Sequence, residues 1–372
     1  MPSVAEANTQ FAASLYCALA SETKGNLIMS PLPFSIALSL LLNGTDATTQ
    51  DEIMQLTGLA GMGLDEINQQ NLQLQRVLAK INGAKESFVL ANSLWASLPL
   101  SFAPAFLEKG RQYYGTEMIA ATRSELPARI SKWSREKTHG RIDMALRETD
   151  FALLSATYFK GQWMNQFEES KTKPEEFRPE AAPAHPVPMM SQSGSYPYLE
   201  GDTFQAVALL LSGTTMYFLL PRKRLLQRNS IYAMEQTVLR EGRIFSQFFQ
   251  PKEGLVKLPK FTIRYDGEFL PLLERLGIRR LFDSFDALKP AVSNPEGAKA
   301  TQVLQNSFIA VDEKGAEAAS TLGMGFMAAA APGWKPPKPF EFIADRPFCF
   351  WIRENGTGTI LFMGRVADPT QS

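Results

Sequence analysis

The segment that most constrains this chain is 313–333, Glu-Lys-Gly-Ala-Glu-Ala-Ala-Ser-Thr-Leu-Gly-Met-Gly-Phe-Met-Ala-Ala-Ala-Ala-Pro-Gly. Every second residue from Ala316 (Ala318, Ser320, Leu322, Met324, Phe326) is small at first, then large and apolar. The interleaved Gly315, Glu317, Ala319, Thr321, Gly323 and Gly325 are polar or tiny. This is the period-two pattern of a strand with one buried face. Yet interior glycines weaken a strand, and the Ala-rich tail ending in Pro332 reads as exposed loop. The segment suits two states, a loop in one and a sheet strand in the other.

A chain of 372 residues, 45% of them hydrophobic, can bury roughly three quarters of the surface its unfolded form exposes. Length alone suggests two or three domains. No Pro/Gly/Ser linker, charge run or internal repeat marks a boundary, so residues 1–372 are expected to form one domain. With 38 basic and 38 acidic residues the net charge is zero. General attraction to nucleic acid or to an anionic membrane is therefore not expected. No apolar run of about 18 residues occurs, so no membrane-spanning helix is expected. Met1-Pro-Ser-Val-Ala-Glu lacks a basic stretch followed by an apolar one, so no signal peptide is expected. The protein is cytoplasmic if Met1 is the native start and secreted if a signal peptide was removed. Cys17 lies in an apolar helical pattern and Cys349 in an apolar strand pattern, and both are expected to be buried free thiols.

Along the chain, Phe11, Leu15, Ala18 and Leu19 fall at helical spacing and predict an amphipathic first helix. Ser30 is expected to cap the next helix, with Pro31 at its first position. Residues 32–42 are apolar on almost every face, so that helix should lie buried. Residues 64–81 read as an exposed helix with a Gln-rich face and only Arg76 and Lys80 as bases. Phe88, Leu90, Asn92 and Leu94 alternate within a predicted strand, 86–96. Residues 127–139 are predicted helical, with Ile130 and Trp133 on one side and Gly140 as the stop. Residues 255–263 read as one strand containing Leu258-Pro-Lys260, and Phe269, Leu270, Leu273 and Leu276 as a helix. Residues 302–311 form a strand leading into the two-state segment. Arg222-Lys-Arg224 reads as solvated loop.

Catalytic sets are lacking. The two histidines, His139 and His185, neighbour no nucleophile elbow, and no Gly-x-Ser-x-Gly, His-Glu-x-x-His, Cys-x-x-Cys, Walker loop or Gly-x-Gly-x-x-Gly occurs. Neither an enzyme nor a metal or cofactor site is expected.

Glu313-Lys-Gly-Ala-Glu-Ala-Ala-Ser-Thr321 resembles the proximal hinge of an inhibitory serpin. Phe342-Ile-Ala-Asp-Arg-Pro-Phe348 and Thr357-Gly-Thr-Ile-Leu-Phe-Met-Gly-Arg-Val366 resemble that family's C-terminal strands. Asn26-Leu-Ile-Met-Ser-Pro31 resembles its shutter, where sheet A parts. Trp133 with Thr138-His-Gly-Arg-Ile142 resembles the helix lying across sheet A. Thr157-Tyr-Phe-Lys-Gly-Gln-Trp163 resembles the third sheet-A strand and its breach tryptophan. The resemblance runs from residue 5 to 369.

The resemblance implies an α+β serpin fold, about nine helices packed on three β-sheets, with a mobile reactive-centre loop over residues 313–340. It implies a suicide-substrate inhibitor of serine endopeptidases that traps the acyl-enzyme by inserting its cleaved loop into sheet A. The hinge would be Glu313, Gly315, Ala316, Glu317, Ala318, Ala319, Ser320 and Thr321. The breach would contain Trp163 and Lys260, with Lys260 near Glu313. Shutter positions would be Ser30, Pro33, Ser155 and Gln305; Pro33 offers no side-chain donor, and a Gln305–Ser155 hydrogen bond is expected. Counting from the hinge glutamate puts the scissile bond at Ala329-Ala330. The loop is longer than usual, so the window covers Phe326, Met327, Ala328 and Ala331 and extends to Gly333. Alanine at the cut suits elastase-like or subtilisin-like targets, and Phe326 or Met327 chymotrypsin-like ones; a trypsin-like target is not expected. The partner would be the protease, bound covalently by a monomer. No heparin response is expected, because helix 64–81 is not basic as in heparin-responsive serpins. The alternative is a non-inhibitory serpin acting as chaperone or ligand carrier. Such members usually carry bulky or charged residues in the hinge, and this hinge is clean.

Overall fold

The computed structural model describes residues 3–371 apart from 84, 146–149, 181, 223–229, 241–248, 285, 294–298 and 317–337. Within these residues the chain forms nine α-helices and three β-sheets. The first helix, Val4–Glu22, opens on a reciprocal cap: Ser3 Oγ accepts the Glu6 N–H, and Glu6 Oε2 accepts the Ser3 N–H at 2.8 Å. Two of the four N–H groups orphaned at a helix start are thereby engaged. The helix buries Phe11, Leu15 and Leu19, as their spacing requires. Helix Leu32–Leu41 is buried along its whole length. Ser30 does not cap it. Pro31 flanks the helix without a side-chain bond, and the Ser30 hydroxyl instead donates to the Leu361 carbonyl.

The nine-stranded sheet runs Leu27–Met29, Ile360–Val366, Phe348–Glu354, Thr214–Pro221, Phe204–Leu210, His185–Glu200, Gln250–Pro259, Phe340–Ile343, with Lys173–Phe177 paired to His185–Glu200. The six-stranded sheet runs Phe261–Glu268, Ala300–Val311, Phe151–Gln162, Glu86–Ser97, Glu117–Ala121, with the short Gly315–Ala316 strand also on Phe151–Gln162. Ser101–Phe102 and Val292–Ser293 form the third sheet. The single strand expected over 255–263 is in fact two, one in each large sheet, with Lys260 at the corner between them. Pro259 has no N–H to continue a ladder, and the Lys260 N–H turns to the Pro188 carbonyl at 3.0 Å.

Alternation divides the six-stranded sheet into two faces. Phe151, Leu153 and Phe159, with Val303, Ile309 and Val311, face the main core. Ala152, Leu154 and Ala156 face a smaller cluster with Trp95, Ile130 and Trp133, and Leu304 packs against it. Helix Leu126–Lys137 covers that cluster. Trp95 and Trp133 meet edge to face, ring centroids 6.3 Å apart. The helix stops two residues earlier than expected because His139 and Gly140 both take positive φ, 53° and 78°. Cys17 and Cys349 are buried and free. Burial, reinforced by the Glu235 charge, pushes the Cys17 thiol up to about 12.

Candidate functional site: a slit in the six-stranded sheet

Strands Ala300–Val311 and Phe151–Gln162 run parallel and pair from Ala300↔Phe151 to Phe308↔Tyr158. Past that pair the chain turns on itself. Asp312 and Gly315 exchange backbone hydrogen bonds, and Asp312 Oδ1 accepts the Lys314 N–H at 2.9 Å. Gly315 and Ala316 then run antiparallel to the neighbouring strand, Gly315 opposite Gln162 and Ala316 opposite Gly161. Gly315 and Ala316 thus occupy the head of a slit between the two strands. Gly315 has φ +138°, and a Cβ there would collide with the Gly161 carbonyl oxygen, so only glycine fits.

The turn is held from several sides. Lys260 Nζ lies 2.8 Å from Glu313 Oε2, and Thr172 Oγ1 donates to Glu313 Oε1 at 2.8 Å. The corner between the two large sheets is what brings Lys260 here. Burial pushes the Glu313 carboxyl up, but the Lys260 and Thr172 hydrogen bonds outweigh it and hold the carboxyl below its ordinary value. Buried Trp163 donates its indole N–H to the Asp312 carbonyl at 3.0 Å and its backbone N–H to the Lys314 carbonyl at 3.1 Å. The Phe167 N–H donates to the Glu313 carbonyl at 2.9 Å.

Lower in the slit the arrangement differs from expectation. Gln305 and Ser155 are Cα partners, but their side chains bond elsewhere. Gln305 Oε1 accepts the Ser30 N–H at 2.9 Å and Nε2 donates to the Ser30 carbonyl at 2.7 Å. The amide reaches Ser30 because that peptide lies just beyond the Leu27–Met29 strand. Ser155 Oγ donates to Asn92 Oδ1, and Asn92 Nδ2 donates to the Pro33 carbonyl at 2.9 Å. Pro33 therefore contributes its backbone, and Asn92 supplies the side-chain amide that Pro33 lacks. Its signal was present in the sequence: an amide interrupts the apolar series Phe88, Leu90, Leu94. Thr157 and Ser307, also unforeseen, pair their hydroxyls across the slit at 2.9 Å.

Glu317, Ala318, Ala319, Ser320, Thr321 and the scissile window Phe326, Met327, Ala328, Ala329, Ala330 and Ala331 lie outside the described residues. So do Lys223 and Arg224; Arg222 pairs with Glu200 at 2.6 Å.

The family model described as Serpin (serine protease inhibitor) matches residues 6–369, and the chain belongs to that family. It is 30% identical to the leukocyte elastase inhibitor of Sus scrofa, over 99% of this chain and 100% of that protein. It is 30% identical to serine protease inhibitor 42Dd of Drosophila melanogaster, over 94% of this chain and 93% of that protein. Among solved structures, Serpin48 of the insect Tenebrio molitor matches with a TM-score of 0.84 at 23% identity, covering 98% of both chains. AtSerpin1 of Arabidopsis, in its native stressed conformation, gives a TM-score of 0.84 at 24% identity over 99% of both chains. The α+β serpin fold expected from the hinge and the C-terminal strands is the fold observed.

Proposed function

We propose that this protein is a suicide-substrate inhibitor of serine endopeptidases. The observation that carries the reading is the register at the head of the slit. Continuing the pairs Gly315↔Gln162 and Ala316↔Gly161 downward sets Ala318, Ser320, Leu322, Met324 and Phe326 opposite Phe159, Thr157, Ser155, Leu153 and Phe151. Directly opposed residues of an antiparallel pair share a face, and Phe151, Leu153 and Phe159 face the main core. Ala319, Thr321, Gly323 and Gly325 fall opposite Tyr158, Ala156, Leu154 and Ala152, toward the covering helix. The large apolar residues thus meet the core, and the small ones meet the face covered by helix Leu126–Lys137. Burying Leu322, Met324 and Phe326 contributes about 1.5–3 kcal/mol each. Glu317 comes opposite Lys160, a favourable pair.

In this mechanism the protease serine adds to the loop carbonyl, the peptide nitrogen leaves as an amine, and an ester joins the two proteins. The freed strand inserts and carries the protease to the far end of the sheet, where distortion of the protease's catalytic residues stops water from completing hydrolysis. The scissile bond is Ala329-Ala330 within the window Phe326–Ala331, and the target accepts a small or apolar residue there. Similarity to proteins named leukocyte elastase inhibitors points the same way. The test mixes the protein with elastase, chymotrypsin and trypsin and maps the cut by mass spectrometry. A complex with elastase or chymotrypsin that survives SDS is expected. Cleavage of the loop without any such complex sinks the proposal, and preferential trapping of trypsin after Lys335 sinks the assignment of the bond.

A further inference from the structure

Four side chains, Tyr158, Phe308, Arg141 and Arg264, gather where the slit closes. Tyr158 and Phe308, the uppermost pair between the two strands, stack with ring centroids 6.1 Å apart and planes 22° apart. Both are 5% exposed. By alternation they share the face of Ala152, Leu154 and Ala156, yet they lie outside the cluster beneath helix Leu126–Lys137. Two guanidinium groups lie over them instead. Arg264, exposed on the edge strand Phe261–Glu268, has its Cζ 4.8 Å from the Phe308 centroid. Arg141, just past the helix, lies 5.6 Å from the Tyr158 centroid and 5.8 Å from that of Phe308. Arg264 Nη1 donates to the Arg141 carbonyl at 3.4 Å. The stack thus joins both slit strands to the edge strand and to the segment after the covering helix.

We propose that Tyr158 and Phe308, under Arg264 and Arg141, form a latch that sets how fast the hinge advances beyond Ala316. The inference rests on the insertion mechanism above. Adjacent strands lie about 4.8 Å apart. A strand placed between Tyr158 and Phe308 doubles their backbone separation to about 10 Å, beyond the roughly 7 Å limit of ring pairing. Arg141 cannot then span both rings. The other interactions lost on parting have successors. The incoming strand supplies ladder hydrogen bonds on both sides, and Ser320 brings a hydroxyl to the level of Thr157 and Ser307. The ring stack has none, because the residue opposite Tyr158 is Ala319, which offers one methyl group. The stack therefore stabilises only the uninserted form and acts as a positioning element for the timing of the trap.

The experiment tracks the half-life of inhibitory capacity on incubation without protease, and the unfolding midpoints of intact and loop-cleaved protein, for the wild type and variants. Phe308→Val is expected to shorten that half-life five- to tenfold and to lower the midpoint of the intact form while leaving the cleaved form unchanged. Arg264→Ala, at an exposed site that does not threaten folding, removes the donor to the Arg141 carbonyl and is expected to shorten the half-life two- to threefold. Its own contact with Phe308 lies in a strand pair that insertion leaves together, so the comparison of midpoints is read on Phe308→Val. Phe308→Tyr and Arg264→Lys, which keep the ring and the cation, should restore wild-type half-lives. Equal midpoint losses in both forms, or unchanged half-lives in a wild type that does gain thermal resistance on cleavage, overturn the latch alone. A wild type that gains none overturns insertion and the latch with it.

Discussion

The head and the middle of the slit are held by different chemistry. At the head, Lys260 and Glu313 form an ion pair whose lysine is 40% exposed, and a turn already separates the strands. In the middle, Gln305, Ser30, Ser155 and Asn92 are neutral, buried and mutually satisfied. The Lys260 ammonium is partly exposed, and the buried Glu313 carboxylate keeps the Thr172 hydroxyl if the lysine is lost, so this pair contributes about 1 kcal/mol. Orphaning a buried donor or acceptor, by contrast, costs about 1–3 kcal/mol. The slit is therefore easy to disturb at one end and costly to disturb at the other. In the insertion mechanism proposed above, such polarity would make opening directional, from Gly315 downward.

Substitutions can break or sharpen this contrast. The largest effect belongs to Ala318→Arg, which would set an unpaired charge opposite core-facing Phe159 during insertion. Turnover of the variant as a substrate, with essentially no SDS-stable complex, is expected by gel; undiminished complex refutes the register. Next comes Gln305→Ala, which strips both Ser30 backbone groups of their partner. A midpoint lower by several degrees and faster spontaneous loss of activity are expected in thermal unfolding and ageing assays. Lys260→Ala should cost about 1 kcal/mol or less, because Thr172 still engages Glu313. If it costs as much as Gln305→Ala, the contrast between head and middle is wrong. The smallest effect is with pH. The Glu313 carboxyl is depressed in the folded state, so its contribution is complete above the unfolded value of about 4.3. It fades as pH falls through the lower folded value. The gap in unfolding midpoint between wild type and Glu313→Gln should be flat near neutrality and close only below about pH 4.

Much of the head of the slit was legible in the sequence. The alternation from Ala316 onward follows from residue type and spacing, whereas the flanking strand that leads into Trp163 and the approach of Lys260 to Glu313 followed from the resemblance. What escaped depends on contacts between distant segments. No local pattern says that the Gln305 amide prefers Ser30 to Ser155, or that Asn92 bridges Ser155 and Pro33. The break at Lys260 was visible in principle. Core-facing residues fall at Val256 and Leu258 before it and at Phe261 and Ile263 after it, and this slip from even to odd is what a change of sheet requires. Reading 255–263 as one strand overlooked that slip. The arginine-covered ring pair was out of reach, because Arg141, Tyr158, Arg264 and Phe308 come from four separate segments.

Under the insertion mechanism proposed above, the rungs at Gly315 and Ala316 would change the kinetics of strand growth in this sheet. Such growth is ordinarily slowed by nucleation, the ordering of several residues before any pairing rewards it. Here the nucleus exists in the uncut chain. On that mechanism, the interval between acylation and capture would then measure propagation alone, one residue pair after another, and cleavage would do no more than release the slack that propagation consumes.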